Sequence, residues 1–546
     1  RASGIAVGLH DGRVELHVGA DARFRLIAPR RVEAGRWYCL TAALVPEEGR
    51  AWLAVFDAAS DGCVASAVGT FPACRAADLV PERAVLTLAA LYDAATGLAH
   101  AHYNGRLEAP RLHARALDGA AAREAATVPV DRLGHAVLAA WDFSRGIDTC
   151  VAQDLGPHAL HGTLVNLPTR GVRGHAWDGR EYCWRHAPMQ YAAIHFHDDD
   201  LADIGWPVTL EVTLPRSLAS GVYALRLECG EHVERIPVFV RPGTDAPHAD
   251  TVFLAPTYSY LAYGNERGPF QCAFPEFLVG RAVCLSPEEL YLQDHPEFGL
   301  SLYDRHADGS YVAYASRLRP LVNQRPGFRS WAGALPSSLR WFNLDTHLLA
   351  FLDARGLDCD VTTDEDLDRE GLAALDGYRC VVLGSHPEYC STRMRDALQA
   401  FLARGGRVAY LGGNGLDWRV SAHPEVPGVI EVRREPGFDP AAPPPGEMYH
   451  STSGEHGGQW SKLGFPEQAV LGIGFVTEGF DVSGAYERTA ASRDPRVAFA
   501  FAGVGDGPIG AFGLQGGGAA GMETDTVSPA TPAHALVIAS CTDLVD

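Results

Sequence analysis

The sequence predicts a multidomain protein of the β plus α/β class, with a β-rich front half and a doubly wound parallel sheet behind it. Three observations predict this. The chain has 546 residues, too many for one hydrophobic core. Up to residue 242, segments in which apolar and polar residues alternate recur between glycine-containing turns. Beyond residue 250, short apolar runs alternate with stretches of helical spacing, the order that builds a parallel sheet. The expected domains are residues 1–130, 131–245 and 246–546.

Residues 4–18 alternate about the turn Asp11-Gly12, and 37–45 and 51–56 alternate in the same way. Near the end of this module stands Tyr103-Asn104-Gly105-Arg106-Leu107-Glu108-Ala109-Pro110-Arg111-Leu112, followed by Ala116-Leu117. That string resembles the closing strand of laminin-G and concanavalin-like sandwiches. The resemblance implies such a sandwich for residues 1–130 and leaves its ligand open. The chain begins at Arg1 in strand-like sequence, so we expect a fragment that starts downstream of the true N-terminus. In the second β-rich domain, 137–143, 154–163, 208–212, 223–227 and 236–240 read as strands and turns. Arg241-Pro242-Gly243 breaks the pattern, and the polar run to Asp250 is the expected linker.

The rear half is more regular. Residues 252–255 form a short apolar strand. Leu348, Leu349 and Leu352 mark a helix over 345–355, stopped by Gly356. Residues 359–362 and 380–383 read as buried strands. Met394, Leu398, Phe401 and Leu402 share one face of a helix over 391–404, which ends at Gly405-Gly406. The strand 408–411 then runs into Gly412-Gly413-Asn414-Gly415. In such sheets ligands bind beyond the carboxyl ends of the strands, so the loops 384–390 and 412–419 should hold the chemistry.

Composition removes several classes of function. Lys and Arg total 46 against 67 Asp and Glu, a net charge of −21, and the basic residues are not clustered. Nucleic acid is therefore not the expected partner; the acidity reads as a solvated surface. No uninterrupted apolar run approaches the ~18 residues that a membrane helix needs. The 12 cysteines show neither a CxxC pair nor regular spacing, which argues against a zinc site or a disulfide framework. Reduced thiols in a cytoplasmic protein are expected.

The turn Ser385-His386-Pro387-Glu388-Tyr389-Cys390-Ser391 gathers reactive side chains between a strand and a helix, although Ser391 or Thr392 can equally serve as a helix cap. Tyr449-His450-Ser451-Thr452-Ser453-Gly454-Glu455-His456-Gly457-Gly458 is dense in donors, and Gly516-Gly517-Gly518-Ala519-Ala520-Gly521-Met522-Glu523 suits a backbone passing close to a site. Together with Gly412-Gly413-Asn414-Gly415, Trp418-Arg419 and Ala193-Ile194-His195-Phe196-His197-Asp198-Asp199-Asp200-Leu201, these strings resemble, in order over about 135–540, the large (beta) subunit family of N,N-dimethylformamidase.

That resemblance implies an amidohydrolase that cleaves a small N-substituted amide, such as N,N-dimethylformamide, to formate and an amine. It also implies a mononuclear Fe(III) centre held by two tyrosines and a glutamate. Phenolate and carboxylate are hard anionic donors, which suits a hard trivalent ion. Carried onto this sequence, Tyr389 and Glu455 are the expected metal ligands. The third ligand is expected on the helix before the Tyr389 strand, yet no tyrosine lies between Tyr314 and Tyr378, and His347 stands in that place. Glu455, His386, Glu388, His450 and His456 are candidates for acid–base or supporting roles, Asn414 for a donor to the developing oxyanion, and Glu523 for a substitute ligand. The family further implies a small accessory subunit and association of large subunits with each other.

Other readings compete. His195 and His197 would point to one side of a strand, beside Asp198, Asp199 and Asp200, as a separate metal site would need. The α/β half is also similar to glutamine-amidotransferase-like domains, with Cys390 as nucleophile, although the G-x-C-x-G elbow is absent. A non-catalytic protein, with glycan-binding β modules and a degenerate α/β scaffold, is the third.

Overall fold

The computed structural model describes residues 4–19, 24–60, 62–80, 84–93, 95–128, 132, 136–243, 245–246, 248–268, 283–331, 339–435, 442–512 and 517–542, with the backbone alone for 478–482 and 522. Gly516 of the glycine-rich string lies outside the described residues. The chain forms two compact units, Arg1–Asp198 and Asp199–Asp546. No helix among the described residues is long and apolar enough to cross a membrane.

In the first unit, strands Ile5–His10 and Arg13–Val18 form a hairpin, with Phe24–Arg31 as its third strand. Asp11 and Gly12 both take positive φ, 47° and 71°, the turn that Asp-Gly serves best. Tyr38–Val45, Arg50–Asp57 and Cys63–Thr70 make a second antiparallel sheet. Alternation turns Val14, Leu16, Val18, Leu26 and Ala28 of one sheet toward Ala51, Leu53, Val55 and Ala65 of the other, and these residues share one core. The 103–112 string supplies two strands instead of one. Gly105–Glu108 pairs with Ala193–Phe196, whereas Arg111–His113 joins a sheet with Val137–Asp142, Val151–Asp154 and Gly162–Thr163.

The second unit is built on four parallel strands: β1 (Thr251–Ala255), β2 (Asp360–Thr363), β3 (Cys380–Leu383) and β4 (Arg407–Tyr410), in the spatial order β2-β1-β3-β4. Helices α1 (Thr257–Ala262), α2 (Phe342–Ala354), α3 (Asp364–Glu370) and α4 (Thr392–Ala403) surround it. Successive side chains of a strand leave by opposite faces, so Val252, Leu254, Val381 and Leu383 pack with Met394, Leu398 and Phe401 of α4. Phe253, Ala255, Val361 and Val382 pack with Leu348 and Leu349 of α2 on the other face. Each fully buried side chain of this kind contributes about 1.5–3 kcal/mol. Ser391 caps α4 by accepting from the Met394 amide.

The hairpin Gly221–Cys229 and His232–Val240 belongs to this unit as well. Val222 and Phe239 lie on the α2 side of the sheet, and the Val361 amide donates to Ser220 Oγ at 2.7 Å. The break at Arg241-Pro242-Gly243 is anchored, since Arg241 pairs with Glu370 at 2.8 Å. Residues 206–214, by contrast, form no strand and leave Trp206, Val208, Leu210 and Val212 exposed.

Candidate functional site

The strand order reverses between β1 and β3, and the segments leaving the carboxyl ends of these two strands meet. After β1, α1 delivers Tyr263 at its C-cap. After β3 comes the 384–389 turn. Ser259 Oγ in α1 accepts from the amides of Glu388 and Tyr389 at 3.0 and 3.4 Å, which locks the two segments together. Asp345, in the first turn of α2, accepts from the Ser385 amide at 2.6 Å and from the Tyr260 hydroxyl at 2.5 Å. Gly384 is required there, because a Cβ would lie 2.3 Å from Asp345 Oδ1. This is the crevice at the topological switch point where open α/β sheets bind their ligands.

Three phenols and a carboxylate converge in it. The Tyr263 and Tyr303 rings stack with centroids 4.3 Å apart and 14° between planes, and their hydroxyls are 2.7 Å apart. Tyr303 Oη lies 3.0 Å from Glu388 Oε1 and 2.7 Å from Tyr389 Oη. Trp341 stacks on Tyr263 at 4.8 Å. Behind the phenols, Arg434 donates through Nη2 to Tyr389 Oη at 2.5 Å, and its guanidinium lies 4.3 Å from the Tyr303 ring centroid. Burial, reinforced by the charge of Glu388, pushes both the Tyr263 and Tyr303 phenols well above their ordinary value. Even with the Arg434 guanidinium beside Tyr303, both phenols stay neutral unless a further cation meets their oxygens.

A charged pair flanks this group. His386 Nε2 is 3.0 Å from Glu388 Oε2, and Nδ1 is 3.0 Å from Glu523 Oε2. Burial alone would lower the imidazole pKa, but Glu523 and Glu388 outweigh it and raise it well above its usual value. Burial likewise works against ionised Glu523, and His386 overcomes it, leaving that carboxyl lowered. Asn414 Nδ2 reaches Glu523 Oε1 at 3.4 Å, and its backbone amide donates to Asp525 Oδ1 at 3.0 Å.

The structure therefore brings together His386, Glu388, Tyr389, Asn414 and Glu523 from the sequence-predicted set. It places the others elsewhere. His347 is exposed on α2. Glu455 accepts from Thr392 Oγ1 at 2.5 Å, near the start of α4. His450 is buried, with Nδ1 2.6 Å from Ser421 Oγ and the Glu431–Arg433 ion pair nearby. His456 packs against Tyr449. His195 and His197 are buried in the first unit with rings 4.2 Å apart, whereas Asp199 binds His306 at 2.6 Å within the second. Cys390 is fully buried, which raises its thiol pKa well above the usual value and makes it a poor nucleophile. Sequence reasoning missed Tyr263, Tyr303 and Arg434. A signal for the first existed in Tyr258-Ser259-Tyr260-Leu261-Ala262-Tyr263, an aromatic helix leaving the strand 252–255.

Comparison with known proteins gives a consistent relationship. The family described as N,N-dimethylformamidase beta subunit-like, C-terminal, matches residues 169–545. The beta subunits of N,N-dimethylformamidase from Paracoccus aminophilus and from an Alcaligenes species are each 36% identical to the chain, over 99% of its length and 73% of theirs. The chain belongs to the N,N-dimethylformamidase beta subunit-like family. Every residue of the tyrosine–carboxylate group, from Tyr263 to Glu523, falls inside the segment that the N,N-dimethylformamidase beta subunit-like family matches.

Proposed function

We propose that the chain is an amidohydrolase that cleaves a small N-substituted amide, such as N,N-dimethylformamide, to formate and dimethylamine, and that Tyr263, Tyr303 and Glu388 are the ligands of a mononuclear Fe(III). The observation that carries this reading is the convergence of two stacked phenols and a carboxylate at the switch point of the sheet, in a chain whose relatives are named N,N-dimethylformamidase beta subunits. The donor set fits the ion. Two phenolates and one carboxylate are hard donors whose three charges balance a trivalent cation. Burial disfavours ionising these phenols in its absence. Tyr389 fits less well than Tyr263, because the guanidinium of Arg434 already takes its oxygen and would repel a second cation there.

Bound at this position, the ion supplies a Lewis acid for the amide carbonyl and acidifies a water. The protein's own groups handle the protons. Glu523, held ionised beside His386, accepts the proton of the attacking water as its oxygen bonds to the carbonyl carbon. Protonated His386 gives its proton to the amide nitrogen as the carbon–nitrogen bond breaks, and the proton gained by Glu523 restores the pair. Asn414 orients Glu523 through its side-chain amide. The beta-subunit name of the relatives supports a partner subunit, and a small accessory chain and pairing of large subunits belong to the same reading.

The test is elemental analysis, a visible spectrum and an amide-hydrolysis assay on protein prepared with iron. One iron per chain, a tyrosinate-to-iron absorption band and release of dimethylamine are expected. Protein that binds no iron and releases no amine would overturn the reading.

A further inference from the structure

We propose that Arg434 and Tyr389 form a fixed donor chain to Tyr303, so that the two phenol ligands are electronically inequivalent and Tyr303 is the weaker donor. The inference rests on the ligand assignment made above. A guanidinium has donors and no acceptor. Arg434 Nη2 sits 2.5 Å from Tyr389 Oη, so the Tyr389 oxygen is the acceptor in that contact. Tyr389 has one proton left to place, and its other hydroxyl neighbour is Tyr303 Oη at 2.7 Å. The direction is thereby set: Arg434 donates to Tyr389, and Tyr389 donates to Tyr303.

The same arginine acts on Tyr303 a second time. Its Cζ lies 4.3 Å from the Tyr303 ring centroid, where a cation stabilises the electron density of the ring. It is also immobile. Arg434 is 2% exposed, and Nη1 donates to the Leu302 carbonyl at 2.7 Å, next to Tyr303 in the chain. Tyr263 receives less of either effect, because the His386 Nε2 that faces its hydroxyl is closer to Glu388 Oε2, at 3.0 Å. It is stacked between Tyr303 and the neutral indole of Trp341, and its hydroxyl faces His386 at 3.4 Å. A phenolate that accepts a charge-assisted hydrogen bond and lies against a cation donates less to a metal, leaving that metal the stronger Lewis acid. Tyr389 and Arg434 are thus positioning residues that act through Tyr303.

The test compares the visible spectrum and the iron reduction potential of iron-loaded wild type, Tyr389→Phe and Arg434→Lys. Tyr389→Phe removes one hydroxyl and keeps the ring, so it spares the packing. The expected result is full iron content, a red shift of the tyrosinate band and a more negative potential, because the freed phenolate donates more strongly. Arg434→Lys should shift the band in the same direction, as a lysine cannot both stack on Tyr303 and bind Leu302. A band unmoved in Tyr389→Phe overturns the inference. Loss of band and iron together in Tyr389→Phe also overturns it, by making Tyr389 a ligand. A wild type with iron but no band fails the tyrosine assignment beneath it, and the inference falls with it.

Discussion

Tyr263 and Tyr303 lie ring against ring, 40 positions apart in sequence, with hydroxyls 2.7 Å from one another. The stacked rings and the contact between their hydroxyls bring both oxygens to one point, the place a shared cation would occupy. Tyr263→Phe and Tyr303→Phe should each lower bound iron and reduce amide hydrolysis at least ~100-fold. Iron content and initial rates measured on the same preparations check this. Full activity in either variant removes that tyrosine from the site.

His347 and Glu455 provide the opposite prediction. His347 is exposed on α2, and Glu455 is engaged with Thr392. His347→Ala should leave iron content, spectrum and rate unchanged and alter stability by no more than ~0.5 kcal/mol. Glu455→Gln should keep its iron. A colourless, iron-free Glu455→Gln protein would return that glutamate to the ligand set.

The sheet was legible in the sequence for a simple reason. Buried parallel strands are short apolar runs, so 380–383 was read with both its ends, and 252–255, 359–362 and 408–411 came within one residue of the strands that form. The helix read from 345 begins earlier, at Phe342, because its start is set by Trp341 at a φ of 46°, which no periodicity encodes. Alternation in 208–212 suggested a strand, but alternation fixes faces and cannot supply the neighbour a ladder needs. Half of the site was visible because His386, Glu388 and Tyr389 share one turn and Asn414 follows the next strand. Tyr303 was not, since it comes from a segment outside the helices and strands and is placed by tertiary contacts with Tyr263, Glu388, Tyr389 and Arg434. Tyr263 and Tyr303 both precede the helix that carries His347 and lie outside the strings that carry the family resemblance.

His450 predicts how the protein responds to acid. Burial, the largest cause, lowers its pKa to about 4, although Glu431 pulls the other way. Between that value and ~6.5 the unfolded chain binds a proton that the folded chain refuses, so stability is complete above pH ~6.5 and falls as pH drops toward 4. The loss amounts to about 3 kcal/mol. Urea unfolding at a series of pH values should show this slope, and His450→Gln should flatten it over that window. An unchanged slope in the variant would assign the acid sensitivity to other groups.

Gly384→Ala tests whether the site depends on the close approach of α2. A Cβ at this position would meet Asp345 Oδ1 at 2.3 Å, so Asp345 must move. It cannot move freely, because it accepts from both the Ser385 amide and the Tyr260 hydroxyl, and Tyr260 is buried in the core that includes Tyr263. The displacement therefore falls on the 384–389 turn, which carries His386 and Glu388. The expected cost is about 1–3 kcal/mol of stability. Hydrolysis should drop by more than that loss of folded protein explains, because a shift of about 1 Å at Glu388 spoils its alignment with Tyr303. Activity normalised to folded protein separates the two effects. If the normalised rate is unchanged, the turn tolerates displacement and its contact with α2 serves stability alone.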